Sequence, residues 1–228
     1  MALTPRDFQQ LLIEHGFPLP VYGADGDYGE ETASACEEWF ASGEDLAAEP
    51  DPAPPSGTGL VPADWMPECK MERVIVHWTA GSYAVSATDR EHYHIIVAGD
   101  GDLVQGDKSI KANVSTSDND GYAAHTKNCN SGSIGISAAC MAGATEADSG
   151  AYPLTRKQWE VLAQVAADLC NAYSIPVTSQ TVLQHGEVSN NLGIAQDGKW
   201  DICFLPWSPG MSDEAVGDQF RDMVLARL

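Results

Sequence analysis

RVIVHW, residues 73–78, is a run of β-branched residues closing on a histidine and a tryptophan. It is too short for a helix and too apolar for a strand with one wet face, so it reads as a central strand covered on both sides. Four more stretches carry strand signals: HYHIIVA (92–98), DLVQ (102–105), SIGISAAC (133–140) and TVLQH (181–185). AGDGD, between the second and third of these five runs, reads as a hairpin turn. From Thr155, TRKQ forms a capping box with Gln158, and Trp159, Leu162, Val165, Ala166, Leu169 and Tyr173 then line one helical face. A last helix starts after Ser212. Strands interspersed with helices predict an α/β fold, a mixed central β-sheet flanked by helices. No internal repeat is visible.

Upstream, AAEPDPAPPSGTG (47–59) loses all apolar periodicity and reads as a semi-extended linker. The expected organisation is a helical module over 1–46, a Pro/Gly-rich linker over 47–60 and a larger domain over 61–228. In the small module, Thr4 caps a helix with Pro5 at its first position, Phe8, Leu11 and Leu12 form one apolar face, and Gly16 ends it. A second helix starts near Glu30, with Ala35, Cys36, Trp39 and Phe40 at helical spacing and Gly43 as the stop. The intervening DGDYGEET (25–32) invites a calcium-loop reading, but Gly29 stands where a ligand is wanted and Glu30 where the turn glycine belongs.

The chain has 228 residues and a formal charge of −21. Residues 1–56 carry Arg6 against twelve acids, about half of that charge. Such acidity excludes electrostatic binding to nucleic acid or anionic lipid, which draws on clustered Lys and Arg. No stretch reaches the roughly 20 apolar residues that span a bilayer, so membrane insertion is not expected. MALTPRDFQQLL does not read as a secretory signal, which points to synthesis in a cytoplasm. The six cysteines lack CxxC spacing and read mostly as buried thiols, although Cys129 and Cys140 bracket a strand and could pair in an oxidising compartment.

Two of six histidines, His77 and His185, fall at the ends of predicted strands, where α/β sheets place ligands. GKWDIC supplies Asp201 and Cys203 shortly afterwards, either of which could complete a three-ligand site of the catalytic zinc type. A lone strand-end histidine is also an ordinary hydrogen-bonded residue.

The order of VIVHWTAG, YHIIVAGDGDLVQGD, AAHTKNCNSGSIGI, QHGEV and GKWD over residues 70–207 resembles type 2 N-acetylmuramoyl-L-alanine amidases, phage lysozyme-amidases and peptidoglycan recognition proteins. FQQLL, DGDYGEET and TASACEEWFA over residues 4–43 resemble the three-helix peptidoglycan-binding domain family. The first resemblance implies one catalytic zinc ion held by His77, His185 and Asp201, with Cys203 not a ligand. It implies catalytic roles for Tyr93 and Lys199, and places Thr79, His125, Asn130 and His94 on the substrate side. Regular strand alternation sets Tyr93 opposite both His92 and His94, so Tyr93 and His94 cannot both face the metal without a bulge. Tyr93 is taken to face it and His94 to be a packed sheet histidine.

Two departures stand out. Ile202 occupies a position where the oxygen-ligand members have proline, and Ser137 one where some members have a catalytic glutamate. The expectation is a monomeric amidase that cuts between N-acetylmuramic acid and L-alanine in peptidoglycan, acting as a phage endolysin that reaches the wall once the membrane is breached. The rival expectations are a non-catalytic recognition protein and a cytoplasmic muropeptide-recycling amidase.

Overall fold

The structure, a computed structural model, describes residues 4–14, 17, 19, 24, 26–27, 29–42, 59–117, 121–145 and 148–228. The chain divides into two compact units, residues 1–58 and 59–228. Residues 47–58 of the expected linker, the stop glycines Gly16 and Gly43, and Asp25 and Tyr28 of the turn over 25–32 lie outside the described residues.

In the first unit, α1 (Pro5–Glu14) and α2 (Glu30–Ser42) are the two helices among the described residues. Thr4 caps α1, its Oγ1 accepting from the Asp7 amide at 3.2 Å while Asp7 Oδ2 accepts from the Thr4 amide at 2.9 Å. Leu12, Phe17, Leu19, Ala35 and Cys36 make a small core, with the Phe8 and Trp39 rings edge to face at 6.0 Å. Gln9 is buried with them and donates to Asp27 O and Thr32 Oγ1, so the turn between the helices is tied to α1 by one amide.

The second unit runs β1 (Arg73–Trp78), α3 (Ala87–His92), β2 (Ile95–Val97), β3 (Leu103–Gln105), β4 (Ser133–Ala138), α4 (Arg156–Tyr173), β5 (Val182–Gln184), α5 (Val188–Leu192) and α6 (Asp213–Leu225). The five strands form one mixed sheet in the order β3-β2-β4-β1-β5. β1 is parallel to both β4 and β5, β2 is parallel to β4, and β3 is an antiparallel edge.

Pairing in register sorts the side chains by face. Val74, Val76, Ile134, Ile136 and Val182 pack with Trp159, Leu162, Val165 and Ala166 of α4 and with Val216 and Phe220 of α6. The other face carries Ile75 and His77 beside Gly135 and Ser137. β4 therefore alternates large against the helices with small on the opposite face, and SxGxS leaves room for side chains from loops.

The Thr155 capping box forms as expected. Gln158 adds more: its Nε2 donates to the carbonyls of Val97, Ala98 and Ala139, stitching the start of α4 to the C-terminal ends of β2 and β4. One expectation is corrected. HYHIIVA is not one strand, because the Ser86 capping box nucleates α3 and the chain leaves that helix only at Tyr93. The cysteines are mostly buried thiols, as expected: all six are free, Cys129 and Cys140 included, and only Cys69 is partly exposed.

Replacing Gln158 with Leu removes one donor from each of three strand-end carbonyls: Val97 O and Ala98 O keep the Ala139 and Gly101 amides, while buried Ala139 O loses the bond it has from Gln158. Stability should fall by about 1–3 kcal/mol, read by chemical denaturation; an unchanged midpoint would contradict the role given to this side chain.

Candidate active site

The C-terminal ends of β1 and β5 lie side by side because those strands are parallel neighbours. His77 is the penultimate residue of β1, and His185 follows β5 at the start of a single 3-10 turn, His185–Glu187. That turn is clamped from α6. Arg221 makes a two-pronged contact with Glu187 at 2.9 and 3.0 Å, and Glu187 Oε2 accepts from the Gln184 amide at 2.8 Å. Gly217 lets α6 approach, since a Cβ there would lie 2.1 Å from Glu187 Oε1.

Asp201 enters from the loop before α6, where Gly186 N donates to Asp201 O at 2.7 Å. Its Oδ2 lies 2.9 Å from Nδ1 of His77 and 3.0 Å from Nδ1 of His185. All three side chains are buried. Cys203 points elsewhere, its Sγ against Gly186, and is not in the group. The Asp201–Ile202 peptide is cis.

A cleft of about 340 Å³ opens over this cluster. Thr79, Tyr93, His125, Lys199 and Trp200 line it with His185 and Asp201. Tyr93 is the C-terminal cap of α3, and its ring centre lies 5.1 Å from that of His77. The helix end, not a bulge, removes the alternation conflict: His92 bonds its own helix at Thr88 O, Tyr93 turns to His77, and His94 enters the sheet. Burial pushes the Tyr93 hydroxyl well above its ordinary pKa, so it keeps its proton at neutral pH. Thr79 Oγ1 is engaged by the amides of Gly81 and Cys140 at 3.1 and 3.3 Å.

Behind the cleft is a layer of buried polar groups. His94 accepts from the Gly135 amide at 3.0 Å through Nδ1 and pairs through Nε2 with Asn113 Oδ1 at 3.1 Å. Asn130 Oδ1 accepts from the His125 and Thr126 amides, shaping the loop rather than facing the cleft. Thr126, Asn113 and Gln196 carry no sequence signal of their own, although Thr126 stands next to His125 in the AAHT motif. Burial drives the histidines toward the neutral form, His77 and His94 down to about 4 and His125 well below its ordinary value. A neutral imidazole keeps a lone pair for a metal.

The three candidate ligand atoms lie within 4.8 Å of one another. Two imidazole nitrogens and one carboxylate oxygen are a donor set zinc accepts, and three protein ligands beside an open cleft leave a fourth position for water or substrate. The residues fit the ion.

Fold and cluster together define an α/β protein with a His-His-Asp group at the C-terminal ends of its parallel strands, able to hold a metal ion. The family described as N-acetylmuramoyl-L-alanine amidase matches residues 67–206, more than half of the chain, and the protein belongs to that family. No curated protein matches it at the sequence level. Among solved structures it is similar to the endolysin of the Thermus scotoductus bacteriophage Ph2119, at 14% identity and TM-score 0.43, over 70% of this chain and 88% of that one. It is similar to the endolysin amidase LysCS of Clostridium intestinale at 15% identity and TM-score 0.36, over 55% of this chain and 86% of that one. A third likeness is to the complex of peptidoglycan recognition proteins LCa and LCx bound to tracheal cytotoxin, at 19% identity and TM-score 0.34, over 54% and 81%.

Gly135 is a position where the cluster leaves no room for a side chain. A Cβ there would lie 2.5 Å from the His125 ring. Gly135→Ala should displace that ring and cost about 1–3 kcal/mol, measured by thermal unfolding; a wild-type melting curve would show the ring is not held against β4.

Proposed function

We propose that this chain is a zinc-dependent N-acetylmuramoyl-L-alanine amidase that hydrolyses the amide between the lactyl group of N-acetylmuramic acid and L-alanine in peptidoglycan. The observation that carries the reading is the meeting of His77 Nδ1, His185 Nδ1 and Asp201 Oδ2 at one point under a cleft. Family membership supplies the bond type. His77, His185 and Asp201 hold the ion, which when bound supplies a Lewis acid and an acidified water.

The rest belongs to the protein. Tyr93, half-buried at the cleft, remains protonated and donates a hydrogen bond to the carbonyl oxygen as charge develops there. Lys199, in the loop that carries Asp201, adds a positive charge to the cleft lining. Water adds to the carbonyl carbon, the C–N bond breaks, and the departing nitrogen takes a proton, leaving a lactyl carboxylate and the free amine of L-alanine. Thr79 and His125 border the substrate path, and Asn130 and His94 hold the loop that forms it. Ser137, standing where some relatives place a glutamate, leaves the proton work to Tyr93 and Lys199.

The helical unit of residues 1–58 is proposed to hold the enzyme on the wall, raising the local concentration of scissile bonds. A phage endolysin acting on the wall from the cytoplasmic side suits this pairing, and no helix among the described residues is long and apolar enough to cross a membrane.

The test is digestion of intact peptidoglycan with and without chelator, scoring new L-alanine amino groups separately from new reducing ends. Amino groups alone are expected, abolished by chelation and restored by zinc. Binding without either product would place the chain among recognition proteins. Lys199→Met should lower turnover by about 10²–10⁴-fold while zinc content stays at wild-type level.

A further inference from the structure

The hydrogen-bonding neighbours of His77 and His185 fix where the ring hydrogens sit. Gln196 Nε2 lies 3.0 Å from Lys127 O and 3.2 Å from Ile194 O. Both partners are carbonyls, so the amide nitrogen must face them and Gln196 Oε1 faces the other way. That oxygen lies 3.0 Å from His185 Nε2. An amide oxygen only accepts, so Nε2 of His185 carries the hydrogen and its Nδ1 is a bare lone pair.

On the other side, His125 Nε2 faces Ser133 O at 3.4 Å and must be the donor there. His125 Nδ1 is therefore an acceptor, and it lies 3.2 Å from His77 Nε2 and 2.9 Å from Thr126 Oγ1. Thr126 Oγ1 is also 3.4 Å from His77 Nε2, and its hydroxyl can turn to serve either ring. Were His77 Nε2 bare, two lone pairs would face each other at 3.2 Å in a buried place. The hydrogen is on His77 Nε2, and again Nδ1 is left bare.

We infer that His125 and Gln196 are positioning residues that lock His77 and His185 into the Nε2–H form, so that both Nδ1 lone pairs converge with the Asp201 carboxylate on a divalent cation. Three acceptors then meet at 2.9 and 3.0 Å with no hydrogen between them, an arrangement that repels unless a cation stands within it. The chain runs from Ser133 through His125 to His77 on one side and from the Lys127 and Ile194 carbonyls through Gln196 to His185 on the other. Each end is anchored in backbone, so neither ring can rotate without breaking a second bond. His125 thereby acquires a role beyond bordering the cleft, acting through His77. This inference rests on the zinc reading for its cation but not for the hydrogen positions.

Long-range nitrogen–proton NMR on the full, metal-free chain at alkaline pH reads the form of each neutral ring directly. The expected result is hydrogen on Nε2 of His77, His125 and His185; hydrogen on Nδ1 of His77 or His185 overturns the inference whether or not zinc is bound. Failure of the zinc reading itself would show separately, as wild-type protein that takes up no metal while its rings keep the Nε2–H form. For the variants, zinc affinity by chelator competition should weaken by about 10–100-fold in Gln196→Met and in His125→Phe. His125→Asn, which returns an acceptor near the lost Nδ1, should recover part of the loss. Wild-type affinity in both Gln196→Met and His125→Phe overturns the proposal.

Discussion

One carboxylate oxygen, Asp201 Oδ2, lies within 3.0 Å of two imidazole nitrogens, one from β1 and one from the turn that follows β5. Burying such a group is costly unless its neighbours are fixed, and much of the larger unit is arranged around that requirement. Parallel pairing of β1 with β5 brings His77 and His185 to one end of the sheet. The small residues of β4 make room for the His125 ring and the Tyr93 edge. The Glu187–Arg221 pair, itself buried, ties the turn bearing His185 to α6.

The sheet was readable because its strands are short runs of β-branched residues bounded by turn residues. RVIVHW and SIGISA follow that pattern, and the capping signals at Thr155 and Ser212 mark where α4 and α6 begin. HYHIIVA departs from a continuous strand for a physical reason: its apolar half is strand, but His92 and Tyr93 are claimed by a helix capped at Ser86, where a local capping box outweighs β propensity. That same helix end gives Tyr93 its direction.

The site was legible in a different way. Spacing alone drew attention to His77 and His185 and left Asp201 and Cys203 as equal choices; the resemblance favoured Asp201, and the folded chain places Asp201 between the histidines and Cys203 against Gly186. Gln196 left no mark, because a glutamine in a loop carries no periodicity and its partners, Lys127 O and Ile194 O, are backbone atoms of distant or irregular segments. Residues that orient ligands through backbone contacts become visible only after folding. The helical unit is a contrasting case: Thr4, Pro5 and the Leu12 and Ala35 positions specify two helices and a small core locally, without long-range pairing.

The central claim is that three buried acceptors form a cation site whose filling enables amide hydrolysis. Calorimetric titration of zinc into metal-stripped protein, compared with Asp201→Ala, tests it most directly. The account predicts one zinc ion per chain for the wild type and none for the variant, with the same far-ultraviolet circular dichroism for both. Absence of zinc uptake by the folded wild type, or undiminished uptake by Asp201→Ala, would contradict it.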